Sequence, residues 1–328
     1  MIGSTERYLV ITGGVGGAKL CLGLTHKLSA EQVAFVVNIG DDFEHLGLHI
    51  SPDLDTLTYT LGGVSNLEFG WGRQDETWNC IEALGEIDGD DWFNLGDKDL
   101  ATHLKRTQML KSGLTLTEVT EKLTRSFGIE YKVLPVSNDQ VRTIVHTEIG
   151  RLDFQHYFVR ERCLPAIRGF DFEGCDRAQL TTQVQAAFSD PDLAGIIICP
   201  SNPFVSIDPM LAIPSFVEAL RKSHVPVVAI TPIVGGEAIK GPTAKIMEEL
   251  DIPVTALSVA ERYSSLIDGF IMDQQDSSLA KVVSDLRIET IVAQTVMVTL
   301  ADRVELAEKT IEFLRHLRRG RQYRKCGQ

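Results

Sequence analysis

Val33-Ala34-Phe35-Val36-Val37 is an unbroken apolar run that stops abruptly at Asn38-Ile39-Gly40-Asp41-Asp42. A run with no polar face reads as a strand covered on both sides, the habit of parallel sheets packed between helices. Open sheets of that kind bind ligands at the carboxyl ends of their strands, so Asp41 and Asp42 are expected to point into a crevice there. Ser51-Pro52-Asp53-Leu54-Asp55-Thr56 follows closely and brings the aspartates of this stretch to four. One Asp pair could simply be a polar loop with a helix N-cap. Two acidic clusters bracketing one short loop point instead to a cation or a hydroxyl-bearing ligand.

The same grammar recurs along the chain. Tyr8-Leu9-Val10-Ile11-Thr12 runs into Gly13-Gly14-Val15-Gly16-Gly17-Ala18-Lys19 and then into an apolar helix through Leu20, Leu24 and Leu28. Strand, glycine turn, helix is a nucleotide-binding opening, because glycine lets backbone N–H groups approach phosphate at the positive end of a helix. The spacing departs from G-x-G-x-x-G, since Lys19 takes the third glycine position, and no Gly-Lys-Ser/Thr follows for a Walker loop. A turn needed only for tight packing is the plainer alternative.

Later, Gly195 to Cys199 ends in Pro200-Ser201-Asn202-Pro203, and Val225 to Ile230 ends in Thr231-Pro232-Ile233-Val234-Gly235-Gly236. Both turns belong at the same edge of the sheet. Asn202 carries a donor and an acceptor suited to a nucleobase edge, or serves only an Asx turn. Lys240 and Lys245 could meet phosphate or water. Ile252–Leu257, Gly269–Met272 and Thr290–Val296 read as further strands, and Asp302–Leu317 as the last helix.

Between these halves the pattern changes. Residues 71–128 read as helical around a loop, Asn94 to Asp99, with Thr115-x-x-Glu118 as a capping box. Lys98 sits in that loop. Lys105 and Arg106 read as a solvated helix face, with His103 beside them as a candidate anion contact. Trp71 and Trp78 could cover a flat ligand, although aromatics at helical spacing more often pack in a core. From Val133 to Arg160 the pattern alternates: Val141, Thr143 and Val145, then Leu152, Phe154, His156 and Phe158 after the Gly150 turn, as in a hairpin. His146 and His156 decorate that sheet, having no ligand-spaced partners.

The expected fold is therefore α/β, a Rossmann-like and mostly parallel sheet flanked by helices with a helical and β-hairpin insertion mid-chain. Residues 1–65 and 190–317 form the nucleotide-binding core, 66–189 the insertion over an acceptor site, and 318–328 a basic, frayed tail. The formal charge of −13 disfavours a nucleic-acid partner. The six cysteines include no Cys-x-x-Cys pair and read as reduced thiols. No apolar run approaches the roughly 20 residues of a membrane helix, and the amino terminus lacks a signal core, so a cytoplasmic protein is expected.

Taken together, Gly13 to Gly17, Asn38-x-Gly40-Asp41-Asp42, Ser51 to Thr56, Gly96-Asp97-Lys98-Asp99 with Ala101-Thr102-His103, Pro200 to Pro203 and Pro232 to Gly235 resemble the 2-phospho-L-lactate transferase family of coenzyme F-420 biosynthesis. The likeness spans Tyr8 to Leu314 and keeps the motifs in order. It implies a magnesium-dependent transfer of a phospholactyl, phosphoenolpyruvyl or phosphoglyceryl group from a guanosine diphosphate donor to a ribityl hydroxyl of the deazaflavin Fo, with GMP leaving. By the resemblance, Asp41 and Asp53 hold the metal, and Gly13, Gly14, Gly16, Gly17, Ser201, Asn202 and Gly235 hold the nucleotide and its phosphates. Asp55, Asn94 and Lys98 contact Fo, and the protein is a homodimer. If 53–55 is extended, residues two apart share a side, so Asp53 faces the cation while Asp55 reaches the acceptor hydroxyl as the catalytic group.

Two rivals remain at this level. One is a nucleotide-sugar-binding regulatory protein of the same fold, against which the pairing of Asp53-Leu54-Asp55-Thr56 with Gly96-Asp97-Lys98-Asp99 counts. The other is a nicotinamide dehydrogenase, opposed by the missing third glycine.

Overall fold

The computed structural model describes residues 5–67 and 70–326, with side chains as far as Arg321. Seven strands form one parallel sheet: β1 (Arg7–Thr12), β2 (Val33–Val37), β3 (Lys132–Pro135), β4 (Leu193–Ile198), β5 (Val227–Ile230), β6 (Gly269–Asp273) and β7 (Glu289–Ala293). Their spatial order is β7-β6-β5-β4-β1-β2-β3. The chain therefore winds outward from β1 to β3, then returns to the other side of β1 and winds outward again. The reversal falls between β1 and β4, which puts a crevice at their carboxyl ends. Every residue of β4, β5 and β6 is buried, as expected of apolar strands covered on both faces.

Small residues let the layers close. A Cβ at Gly195 of β4 would lie 2.8 Å from Leu314 Cδ2, and one at Gly269 of β6 would lie 2.7 Å from the Phe313 ring, both on the C-terminal helix Leu300–Cys326. That helix also packs along α1 (Gly14–Thr25).

Several local expectations are corrected. Residues 252–257 form no strand: the Thr255 hydroxyl accepts the Ser258 N–H at 3.1 Å and caps a helix, Ala256–Tyr263. The alternation from Leu152 to Phe158 stops being strand at Asp153, because His156–Arg160 is a π-helical turn. Val133 belongs to β3 of the central sheet, so the region 66–189 contributes one edge strand there, while Arg142–Thr147, Gly150–Asp153 and Ile167–Glu173 make a separate antiparallel sheet. The capping box is formed: Thr115 N–H donates to Glu118 Oε2 at 2.8 Å, and the Glu118 N–H to Thr115 Oγ1 at 3.3 Å.

The tail expected to fray is instead helix to Cys326, since Arg318 pairs with Glu6 at 3.2 Å and Arg321 pairs with Asp268. Gly327 and Gln328 lie outside the described residues. Among the described residues no single helix is long and apolar enough to cross a membrane, and a bent pair with such a composition, 203–222, buries Phe204, Ile207, Met210 and Phe216 in the core.

Candidate active site

The crevice at the switch point opens into a cavity of about 660 Å³, walled by Gly13 to Gly16, Asp41, Asp53, Ser201 and Asn202, and roofed by Trp71, Phe93 and Asn94. Each wall is positioned by a strand end. The first is the glycine turn after β1. Gly14 has φ +63°, a left-handed conformation that favours glycine, and its N–H donates to Asp53 Oδ1 at 2.6 Å. The Ser201 hydroxyl donates to the Gly13 carbonyl at 2.7 Å and lies 3.2 Å from the Gly13 N–H, locking this turn to the one after β4. A Cβ on Gly16 would fall inside the Pro200 carbonyl, and one on Gly17 inside the Thr12 hydroxyl. The glycines are thus required first for packing of turn on turn, the plainer of the two readings; Gly13, Gly14 and Gly16 also face the cavity, whereas Gly17 is buried beneath it.

The second wall is acidic. Pro52–Leu61 is a helix, α2, with Pro52 in its first turn and Asp53 and Asp55 near its positive end. The stretch is therefore not extended, and two residues apart on a helix means about 200° around its axis. Asp53 faces the cavity, while Asp55 turns away and joins Arg106 of α3 (Asp97–Lys111). Arg106 Nη1 donates to Asp55 Oδ2 at 3.0 Å and to His103 Nδ1 at 3.0 Å, and Tyr59 donates to Asp99 at 2.5 Å. Arg106 is only 2% exposed, which corrects its expected place on a solvated face; Lys105 next to it is exposed as expected. Asp55 thereby loses the geometry on which a contact with the acceptor hydroxyl was expected.

Asp41 and Asp53 converge on one carboxamide: Asn38 Nδ2 lies 3.0 Å from Asp53 Oδ2 and 3.3 Å from Asp41 Oδ1. Burial lifts the Asp53 pKa to about 6, although the Asn38 and Gly14 hydrogen bonds pull it back. Burial, then the fields of Asp53 and Asp42, hold Asp41 well above the usual carboxylate range. Two buried like charges with one amide between them are a cation-seeking arrangement. Among the described residues no cluster of three or more His, Cys, Asp or Glu side chains has metal-site geometry. Such a two-carboxylate donor set fits magnesium, which keeps waters and shares substrate phosphates, better than a metal needing a full protein cage. Asp42 lies outside this set; its Oδ2 accepts the Ser51 hydroxyl at 2.8 Å.

Other expected residues are placed as follows. Asn202 lines the cavity but its Oδ1 accepts the Phe204 N–H at 3.0 Å, so the Asx-type role is realised. Gly235 does not line the cavity, and its N–H donates to Asp276 at 3.0 Å rather than towards a ligand. Lys98 lies in the first turn of α3 instead of a loop, exposed, with its ammonium 3.2 Å from the Gln74 carbonyl and outside the cavity wall. Asp97 beside it caps the neighbouring helix through Thr77, Asn79 and Cys80, which holds its carboxyl down to about 2. Lys245 binds Glu249 and also stays outside the cavity. His146 pairs with Asp171, and His156 packs on Trp92.

Of the two tryptophans considered as a cover for a flat ligand, Trp71 lines the cavity and Trp78 does not. Sequence reasoning passed over Lys19, noted only for breaking a glycine fingerprint, and the rest of the aromatic wall, Phe93 with Phe154 and Phe158 stacked at 5.5 Å. The one signal for the latter pair was its spacing of four, which is helical as well as alternating.

A family model described as 2-phospho-L-lactate transferase CofD matches residues 9–315. The chain belongs to that family. It is 37% identical over 314 residues to a phosphoenolpyruvate transferase of Streptomyces coelicolor, covering 94% of this chain and 97% of the relative. It is 34% identical over 304 residues to a 2-phospho-L-lactate transferase of Methanosarcina mazei, covering 93% of this chain and 99% of the relative. Among solved structures, a member of the UPF0052 family from Bacillus halodurans superposes with TM-score 0.60 over 93% of this chain and 99% of the other, at 14% identity. That likeness speaks to the fold alone.

Proposed function

We propose that this transferase moves a phospholactyl- or phosphoenolpyruvyl-type group from a guanosine diphosphate donor to a ribityl hydroxyl of the deazaflavin Fo, in coenzyme F-420 biosynthesis. The observation that carries the reading is the family match from residue 9 to 315 on a chain whose acidic pair and glycine turn meet at the switch point. In this reading the acceptor oxygen forms a bond to the phosphorus that bears the three-carbon acid. The bond from that phosphorus to GMP breaks, GMP leaves with the electron pair, and one proton is released.

Asp41 and Asp53 would hold magnesium, which when bound neutralises charge on phosphoryl oxygens. Gly13, Gly14 and Gly16 shape the wall against which the diphosphate lies, and Ser201 fixes that wall. Asn202, with its oxygen committed to the turn, offers its amide hydrogens to guanosine. Trp71, Phe93 and Asn94 roof the cavity with surface suited to a flat deazaflavin. Asp55 supports α2 through Arg106 and does not touch the acceptor.

The test is to incubate the protein with Fo, magnesium and each guanylylated acid, then follow GMP release and weigh the product by mass spectrometry. A mass gain on Fo equal to one phospho-acid less one water is expected with at least one donor. GMP formation without an Fo adduct would reject the acceptor, and inertness towards every guanylylated acid would reject the donor.

A further inference from the structure

Two lysines also face the cavity, Lys19 from α1 and Lys240 from the loop 239–241. Neither forms an ion pair among the described residues, although the chain carries 45 acidic side chains that could have supplied one. Lys19 is part-buried, and its ammonium donates to the Met297 carbonyl at 3.0 Å. Burial, then the fields of Arg303 and Lys240, make it a weaker base than usual. Lys240 follows a small hairpin, Ile233–Val234 with Glu237–Ala238, and precedes the helix Thr243–Glu249. Its ammonium lies against Gly70 on the facing wall. A Cβ built there would sit 2.5 Å from Lys240 Nζ and 4.0 Å from Val15 of the glycine turn. The bare Gly70 backbone, at φ +78°, thus leaves room for the ammonium over that turn.

A part-buried ammonium with no ion-pair partner among the described residues raises the free energy of the empty protein, and an anion arriving in a cavity that a second lysine also lines relieves it. Lysine suits phosphate as a point charge and needs no bidentate alignment. We propose that Lys19 and Lys240 clamp the diphosphate of the donor, Lys19 held rigidly on α1 and Lys240 brought over it by the 239–241 loop. This rests on the guanosine diphosphate reading given above. Asp41 and Asp53 then serve the cation on one wall while the two lysines neutralise phosphate oxygens that the cation leaves uncovered.

Calorimetric titration with GDP in the presence of magnesium tests the clamp on wild type, Lys240→Gln and Lys240→Arg, with guanosine as the phosphate-free control. Lys240 is exposed, so thermal melts of its variants should match wild type. Loss of one charge-assisted contact should raise the GDP dissociation constant of Lys240→Gln by about 10- to 100-fold. Lys240→Arg should recover most of that, the difference should shrink with added salt, and guanosine affinity should not change. A wild type that binds GDP alongside a Lys240→Gln variant that binds it equally well overturns the clamp and leaves the donor reading standing. A wild type that ignores GDP removes the donor reading, and the clamp with it.

Discussion

Asp53 accepts the Gly14 N–H and the Asn38 carboxamide while buried close to Asp41, so its charge is held by hydrogen bonds but opposed by burial. Its folded pKa, about 6, exceeds the free value of 3.8, so the folded chain binds this proton more tightly than the unfolded one. The metal-free protein is therefore expected to lose this contribution as pH rises from about 4 through about 6, with stability lower above that window. Magnesium, needing the carboxylate, should act in the opposite sense. The rise in melting temperature on adding magnesium is expected to be larger at about pH 7.5 than at about pH 5, and Asp53→Asn should abolish that difference. Differential scanning fluorimetry at both pH values checks it.

Arg106 and Asp55 make a second prediction at this scale. Removing one member of a buried pair strands the other, so Arg106→Leu should cost about 3–5 kcal/mol of stability by urea denaturation, and Asp55→Leu with Arg106→Leu together should cost less than Arg106→Leu alone. Turnover per folded molecule of Asp55→Asn should stay within about ten-fold of wild type, rather than falling by the about 10²–10⁴-fold of a general base. A fall of that larger size in single-turnover adduct formation would restore Asp55 to the chemistry.

At the scale of elements, the turn after β1 and the turn after β4 work as one unit. Gly16 meets the Pro200 carbonyl so closely that a methyl group must push backbone against backbone. Gly16→Ala is accordingly expected to lower both the melting temperature and the affinity for GDP. A variant that melts normally and loses only nucleotide affinity would mean that Gly16 serves phosphate approach alone. Helix α2 depends in a similar way on its neighbours: Ser51 spends its hydroxyl on Asp42 rather than on a cap, and Asp53 reaches back to the first turn of α1. The acidic stretch thus carries helix-start signals, Pro52 and two early aspartates, that argue for a helix over an extended loop. Those signals were present in the sequence and would have separated Asp53 from Asp55.

Over the whole molecule, the C-terminal helix closes the sheet on Gly195 and Gly269 and then runs past the core, held by Arg315 and Arg318 on Glu6 and by Arg321 on Asp268. Ending the chain after Leu317 should lower the melting temperature, because Glu6 and Asp268 lose partners at the amino ends of β1 and β6. It should leave the GDP dissociation constant within about two-fold, since the cavity lies at the opposite, carboxyl ends of the strands. Parallel melting and calorimetry measurements on the shortened chain check both halves.

Six of the seven central strands, the polar turns that end them and the family could be read from the sequence alone, because burial on both faces forces unbroken apolar runs and because turns at strand ends need glycine, proline and short polar residues. The edge strand Lys132–Pro135 instead reads as part of the hairpin, and 252–257 reads as a strand that it does not form. Which charged side chains pair could not be read in that way. Asp55 and Arg106 are 51 residues apart, and Lys19 and Met297 are 278 apart. Nothing local distinguishes the buried Arg106 from the exposed Lys105 beside it. Only the folding of α2 against α3, and of β4 beside β1, decides which of these charges is a strut, which faces the cavity and which meets water.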